Sequence, residues 1–231
     1  MLMSCVRPCK SCSPRPHHLS DLGLVYADES LLVLEKPAGL LSVPGRGEGK
    51  QDCLSRRAAQ HYPDALVVHR LDMATSGLLV MARGIAAQRI LNDAFAQRRV
   101  QKTYEAVVYG LVTTVDTEWQ TIDLPIALDW PNRPLRVIDT KLGKPSLTRW
   151  KVLNTDATSH TTRLALEPLT GRSHQLRVHM KALGHAILGD QLYADPELVA
   201  LSTRLLLHAC VLEFIHPYSK QPIRFVSPAP F

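Results

Sequence analysis

Short apolar runs, rich in β-branched and aromatic residues and cut apart by proline or glycine, recur along most of this chain, and only three stretches change over to helical spacing. An amphipathic helix needs apolar residues every three or four positions over some ten residues, and runs this short cannot supply them. Leu24-Val25-Tyr26 and Leu31-Leu32-Val33-Leu34 flank Asp28-Glu29-Ser30 and predict two strands joined by a tight turn. Thr103 to Tyr109, Leu147 to Leu153, Thr162 to Leu166, Leu205 to Leu207, Val211 to Ile215 and Ile223 to Val226 predict further strands. Helices are expected between Asp52 as cap and Pro63 as stop, from about Ile85 to Arg98, and from Gln175 to Leu183 with Gly184 closing it. Many strands with few interspersed helices predict an α+β chain, a mixed and largely antiparallel central sheet with flanking helices.

A chain of 231 residues with 45% hydrophobic content can bury a real core. Residues 1–21 stand apart: Cys5, Cys9 and Cys12, three prolines, two histidines and three basic residues lie in the first twenty positions without a hydrophobic period, which predicts a disordered basic arm. Residues 22–231 are then a single catalytic domain. The formal charge of +6 favours a polyanionic partner. No apolar stretch approaches the roughly 20 residues that cross a bilayer, and the start lacks the pattern of a secretory signal, so a cytoplasmic protein with no membrane role is expected. Cys53 and Cys210 sit in amphipathic or apolar segments and are expected to be small buried hydrophobes.

Three clusters could carry chemistry. His69-Arg70-Leu71-Asp72-Met73-Ala74-Thr75-Ser76-Gly77 puts an acid beside a base at a turn between the apolar runs Ala65 to Val68 and Leu78 to Ala82. A carboxylate on a loop held between two strands can be aimed at a substrate, although turn formation alone accounts for the same residues. Arg172-Ser173-His174-Gln175-Leu176-Arg177-Val178-His179 gathers bases where a helix opens, suited to gripping phosphate or holding a carboxylate ionised; a solvated basic face is the plainer reading. Asp129-Trp130-Pro131-Asn132-Arg133-Pro134 predicts an ordered loop, in which Trp130 is either packed underneath or exposed beside Arg133 for stacking on bases; the packed position is the expectation. The Cys5-x3-Cys9-x2-Cys12 spacing also suits an iron-sulfur cluster or, with His17 or His18, zinc. The rest of the chain lacks the barrel pattern that such a cluster needs, so no metal is expected. Hydrolase elbows, Gly-rich phosphate loops and His-Glu-x-x-His pairs do not occur.

Taken together, His69-Arg70-Leu71-Asp72 through Thr75-Ser76-Gly77, Lys102-Thr103-Tyr104, and Gly171 through His179 resemble the RluA family of pseudouridine synthases in order and separation, over about Leu22 to Phe231. Leu41-Ser42-Val43-Pro44-Gly45-Arg46 and the Asp129 to Pro134 loop resemble most the small dual-specificity branch of that family. The resemblance implies the pseudouridine synthase fold with a catalytic cleft, and an isomerisation of uridine in RNA without a cofactor. It implies Asp72 as nucleophile or as base toward the ribose, Arg177 as its ionic partner, and Tyr104 packed on the flipped base. Arg70 would fill the place the base vacates. Beside these, the residues themselves make His69, Arg133, Arg172 and His174 candidates for binding RNA. The implied substrates are a tRNA anticodon stem-loop and large-subunit rRNA, acted on by a single copy of the chain with no obligate protein partner. Two other readings use the same residues: an N-glycosidase that releases uracil, and a non-catalytic RNA-binding or ribosome-assembly factor. The Cys-rich arm has no counterpart in the family pattern.

Overall fold

Residues 22–113 and 118–231 are described by the structure, a computed structural model. The cysteine-bearing stretch 1–21, with its expected disorder and its cluster and zinc readings, lies outside them.

The chain opens with β1 (Leu24–Ala27) and β2 (Leu31–Lys36), antiparallel as expected. Their turn is held by the Asp28 carboxylate, which accepts the N–H of Ser30 at 2.7 Å and of Leu31 at 2.9 Å. After α1 (Leu54–His61) come β3 (Ala65–Val67), β4 (Ser76–Arg83), α2 (Gly84–Ala96) and β5 (Gln101–Tyr109). Next are β6 (Gln120–Asp123), the small hairpin β7 (Ile126–Leu128) and β8 (Arg136–Ile138), then β9 (Leu147–Asp156) and β10 (Thr161–Pro168). The chain ends with α3 (Gln175–Ala182), α4 (Pro196–Ala200), β11 (Leu207–Ile215) and β12 (Pro222–Val226).

One ten-stranded sheet dominates, in the order β1-β2-β4-β11-β5-β10-β9-β6, with β12 paired to β11 and β3 to β4. Among the described residues β4 with β11 is the parallel pair in an otherwise antiparallel sheet, so the α+β expectation holds. β4 is buried along almost its whole length, which is why its sequence is a continuous apolar run rather than an alternation. Gly77 has φ 110°, and a Cβ there would overlap the backbone of Ala209. Only glycine allows β11 to lie this close to the start of β4.

Two packed regions meet at Tyr104. One core joins Leu164, Leu166, Leu176 and Met180 between the sheet and α3; another joins Leu34, Leu54, Leu71 and Leu79 beside α1; Tyr104 packs against both. A third, with Leu78, Val80, Leu91 and Phe214, lies under α2.

The differences from the sequence reading are local. Cys53, not Asp52, is the N-cap of α1, and Asp52 instead binds the Arg57 guanidinium at 2.8 and 2.6 Å. Leu205 to Leu207 and Val211 to Ile215 are not two strands. Leu207 to Ile215 form one, and a register shift between Ala209 and Val211 accounts for the broken apolar pattern. Cys53 and Cys210 are free and buried, as expected.

Candidate active site

Asp72 lies on the loop between β3 and β4, and this loop is clamped on both sides of it. The Ser42 hydroxyl donates to the Leu71 carbonyl at 2.7 Å and accepts the Leu71 N–H at 3.1 Å. On the other side the fully buried Lys36 ammonium donates to the carbonyls of Met73 at 3.0 Å, Leu40 at 2.7 Å and Pro37 at 2.9 Å. Thr75 N–H closes the turn onto the Asp72 carbonyl at 3.1 Å. With its backbone fixed, the Asp72 side chain faces the cleft and keeps 30% exposure. Burial pushes the Lys36 ammonium down to about 8; the nearby Asp72 charge works against that shift and Arg204 adds to it.

Arg177 reaches the same point from α3. Its Nη1 lies 3.5 Å from Asp72 Oδ2, and the side chain is only 5% exposed. The tighter partner is Asp190, which accepts from Nε at 2.8 Å and Nη2 at 2.6 Å and is itself completely buried. Backbone N–H groups of Leu192 and Tyr193 orient Asp190 Oδ1 at 3.0 and 3.2 Å. Gly189, at φ 71°, leaves no room for a Cβ against the Arg204 carbonyl and so brings Asp190 into the interior. Burial opposes charge on Arg177, but Asp190 and then Asp72 more than compensate and hold it positive. The fork is therefore locked by a hidden carboxylate and offers its remaining nitrogen to the exposed one.

His174 caps α3 in the left-handed region (φ 59°). Its Nδ1 is 2.6 Å from the Tyr193 hydroxyl, and its Nε2 is 4.0 Å from Asp72 Oδ2. Burial lowers its pKa despite Asp72, so the ring is neutral at pH 7. Tyr104, on β5, stays protonated because burial first, then the charges of Asp72 and Cys210, push its phenol up.

These groups line a cleft of about 1210 Å³, larger than the roughly 300–1,000 Å³ of small-molecule pockets. Arg70, Arg98, Arg99, Arg136, Arg149 and Arg172 line it too, against the acids Asp72 and Glu167. Each acid has an arginine at 3.5 Å, but the Glu167 side chain is only 10% exposed against 30% for Asp72, which makes Asp72 the carboxylate more open to a visitor. A cleft of this size and charge suits a polyanionic chain.

The structure thus gathers Asp72, Tyr104, Arg177, Arg70, Arg172 and His174 around one space. His69 lines it as well, as a neutral ring. The ring accepts the Val80 N–H at 3.0 Å, stacks on Phe95 at 4.5 Å and is pushed down to about 3 by burial and Lys102. It braces the Asp72 loop against β4. Arg133 is not among the lining residues; it sits on the β7–β8 loop, 4.0 Å over the Trp130 ring. Trp130 is 65% exposed, which corrects the expectation that it packs beneath its loop. Lys36, Ser42, Asp190 and Tyr193 were not anticipated. A lysine closing the apolar run of β2 and a Gly-Asp pair before Tyr193 are the signals that point to them.

The profile of the family described as RNA pseudouridylate synthase matches residues 30–182. The chain is 48% identical over 210 residues to the dual-specificity RNA pseudouridine synthase RluA of Salmonella typhi, covering 91% of this chain and 94% of the relative. With the Escherichia coli protein of the same name the identity is 47% over the same shares. In structure it resembles human RNA pseudouridylate synthase domain containing 1, with a TM-score of 0.74 and 31% identity over 90% of this chain and 84% of that one.

Proposed function

We propose, from the premise that the chain belongs to the RNA pseudouridylate synthase family, that Asp72 performs the first step of its isomerisation of uridine. In that reaction the bond from the ribose carbon to N1 of uracil breaks, and the same carbon bonds to C5. C5 loses a proton and N1 gains one, so mass is conserved. Attack on the sugar carbon and proton removal from the ribose both need an ionised oxygen at the cleft floor. The observation that carries this reading is the Asp72 carboxylate, 3.5 Å from an arginine whose other nitrogens are fixed by Asp190. A group poised this way spends no energy reorganising when the substrate arrives.

A stacked uridine hides its glycosidic bond, so the target base must leave the helix. Tyr104 offers its ring as the floor for that base, and its protonated hydroxyl can pass a proton. Arg70, exposed two residues before Asp72, is placed to fill the vacancy. Arg172 takes backbone phosphate at the cleft, His174 lends a neutral ring nitrogen beside Asp72, and Arg133 with Trp130 forms a separate contact on the β7–β8 loop.

The substrates we assign are a tRNA anticodon stem-loop and large-subunit rRNA. The relatives' description as dual-specificity RNA enzymes supports two RNA classes. A single chain supplies every group named above, which supports action as a monomer with RNA as partner, in the cytoplasm where those RNAs reside. Pseudouridine mapping of total RNA with and without the gene tests the assignment and names the uridine. The unaltered chain should form product on a stem-loop RNA at unchanged RNA mass, and Asp72→Asn should abolish it; normal product from that variant would refute the role given to Asp72.

A further inference from the structure

Trp119 precedes the edge strand β6, and its half-exposed indole has two cations over it. The Arg149 guanidinium carbon lies 5.0 Å and the Lys151 ammonium 5.1 Å from the ring centroid. Arg149 and Lys151 are two residues apart on β9, so they share one face of the strand. β6 pairs with β9 through Gln120 and Trp150, which sets Trp119 opposite Lys151. Arg149 also lines the catalytic cleft, where it pairs with Glu167, so the indole platform is contiguous with the cleft wall. Lys151 forms no ion pair among the described residues. An edge tryptophan can lie over lysine and arginine stems merely to bury area. Here no ion pair holds Lys151 among the described residues, and the patch adjoins a basic cleft suited to a polyanion.

We propose that Trp119, Arg149 and Lys151 form an auxiliary RNA subsite. The indole stacks on an unpaired base outside the target uridine's own pocket, and the two cations bind the phosphates on either side of that base. An indole can stack on any base and the adjacent cations can take its flanking phosphates, so the subsite adds affinity and footprint without reading sequence. The inference rests on the RNA-modifying reading above and extends the bound RNA beyond the cleft.

The test is equilibrium binding of an anticodon stem-loop RNA, trimmed one nucleotide at a time from each end, to the full chain. Trp119→Ala should weaken binding of the longest RNA by about five- to 150-fold. That penalty should vanish once the RNA is too short to reach the platform, and Trp119→Phe should restore most of it. Lys151→Gln keeps the ring and should lower the steepness of the salt dependence by about one counterion. An equal loss on every RNA length, or no loss at all, overturns the subsite; so does displacement of the RNA by polyglutamate as effective as by RNA itself, which would mark a surface for an acidic protein. Pseudouridine formation by the unaltered chain on the longest RNA is scored separately. Product without a length-dependent Trp119 effect removes only the subsite, whereas the effect without product removes only the catalytic reading.

Discussion

At the scale of single residues, the lysine behind the Asp72 loop is the most informative. Lys36 spends its three donors on three carbonyls, one of them Met73, next to Asp72. A neutral amine has two N–H groups, so deprotonation must release one carbonyl and also remove a positive charge near Asp72. Because burial pushes this group down to about 8 from 10.5, that loss falls within a reachable range. The sign differs for stability. Between about 8 and 10.5 the unfolded chain binds a proton that the folded chain has given up, so Lys36 makes folding more favourable as pH rises through this window. Activity should therefore fall above pH 8 while this contribution to stability grows. Single-turnover rates from pH 6 to 10 on a stem-loop RNA, compared with Lys36→Met, check this: the unaltered chain should show a limb near pH 8, and the slower variant should lack it. A limb of the same size in both would remove Lys36 from the account. The position of Asp72 on a loop between two strands was legible because an acid in a turn between apolar runs is a local pattern. Asp190 was not, because its partnership with Arg177 depends on how far a guanidinium reaches across thirteen positions of chain.

At the scale of elements, the Asp72 loop is only as exact as the strands that anchor it. Gly77 lies at the junction, next to Ser76, whose register partner in the parallel pair is His208. Alanine there would meet both an unfavourable φ of 110° and the Ala209 backbone. Neither neighbour is the flexible end of a side chain, so the strands must separate. Gly77→Ala should cost about 3 kcal/mol or more, read as a drop in thermal midpoint, and should lower the rate beyond what the lost folded fraction explains. A variant as stable as the parent would mean that the two strands tolerate a wider spacing. Long or strongly patterned elements were readable in advance: the β1–β2 hairpin, α2, β5 and β10 all fall close to their expected bounds. Three-residue strands such as β7 and β8 were not, since their hairpin is defined by mutual pairing and by Ile126 packing near Val178 and Tyr193.

For the whole molecule, class was legible and strand order was not. Short β-rich runs dictate a mostly antiparallel sheet, but the placement of β11 between β4 and β5 joins segments more than a hundred residues apart. That placement creates the seam where Tyr104 touches two cores, and the cleft opens along it. It also gives the net charge of +6 a location. Besides Arg177, which Asp190 and Asp72 engage, six arginines line one concavity, so the excess acts on a ligand in the cleft as a group. If each neutralises one phosphate, RNA binding should release that number of counterions. The slope of log affinity against log salt should then fall between roughly −4 and −5.5, a loss of roughly 300- to 2,000-fold from about 50 to 200 mM salt. Asp72→Asn should leave this slope unchanged if Asp72 meets the sugar, as proposed, and not the phosphates. Arg172→Ala should make it shallower by about one. A slope near zero for the unaltered chain would show that RNA is held by contacts other than these arginines, and the cleft would lose its claim to be the RNA-binding surface.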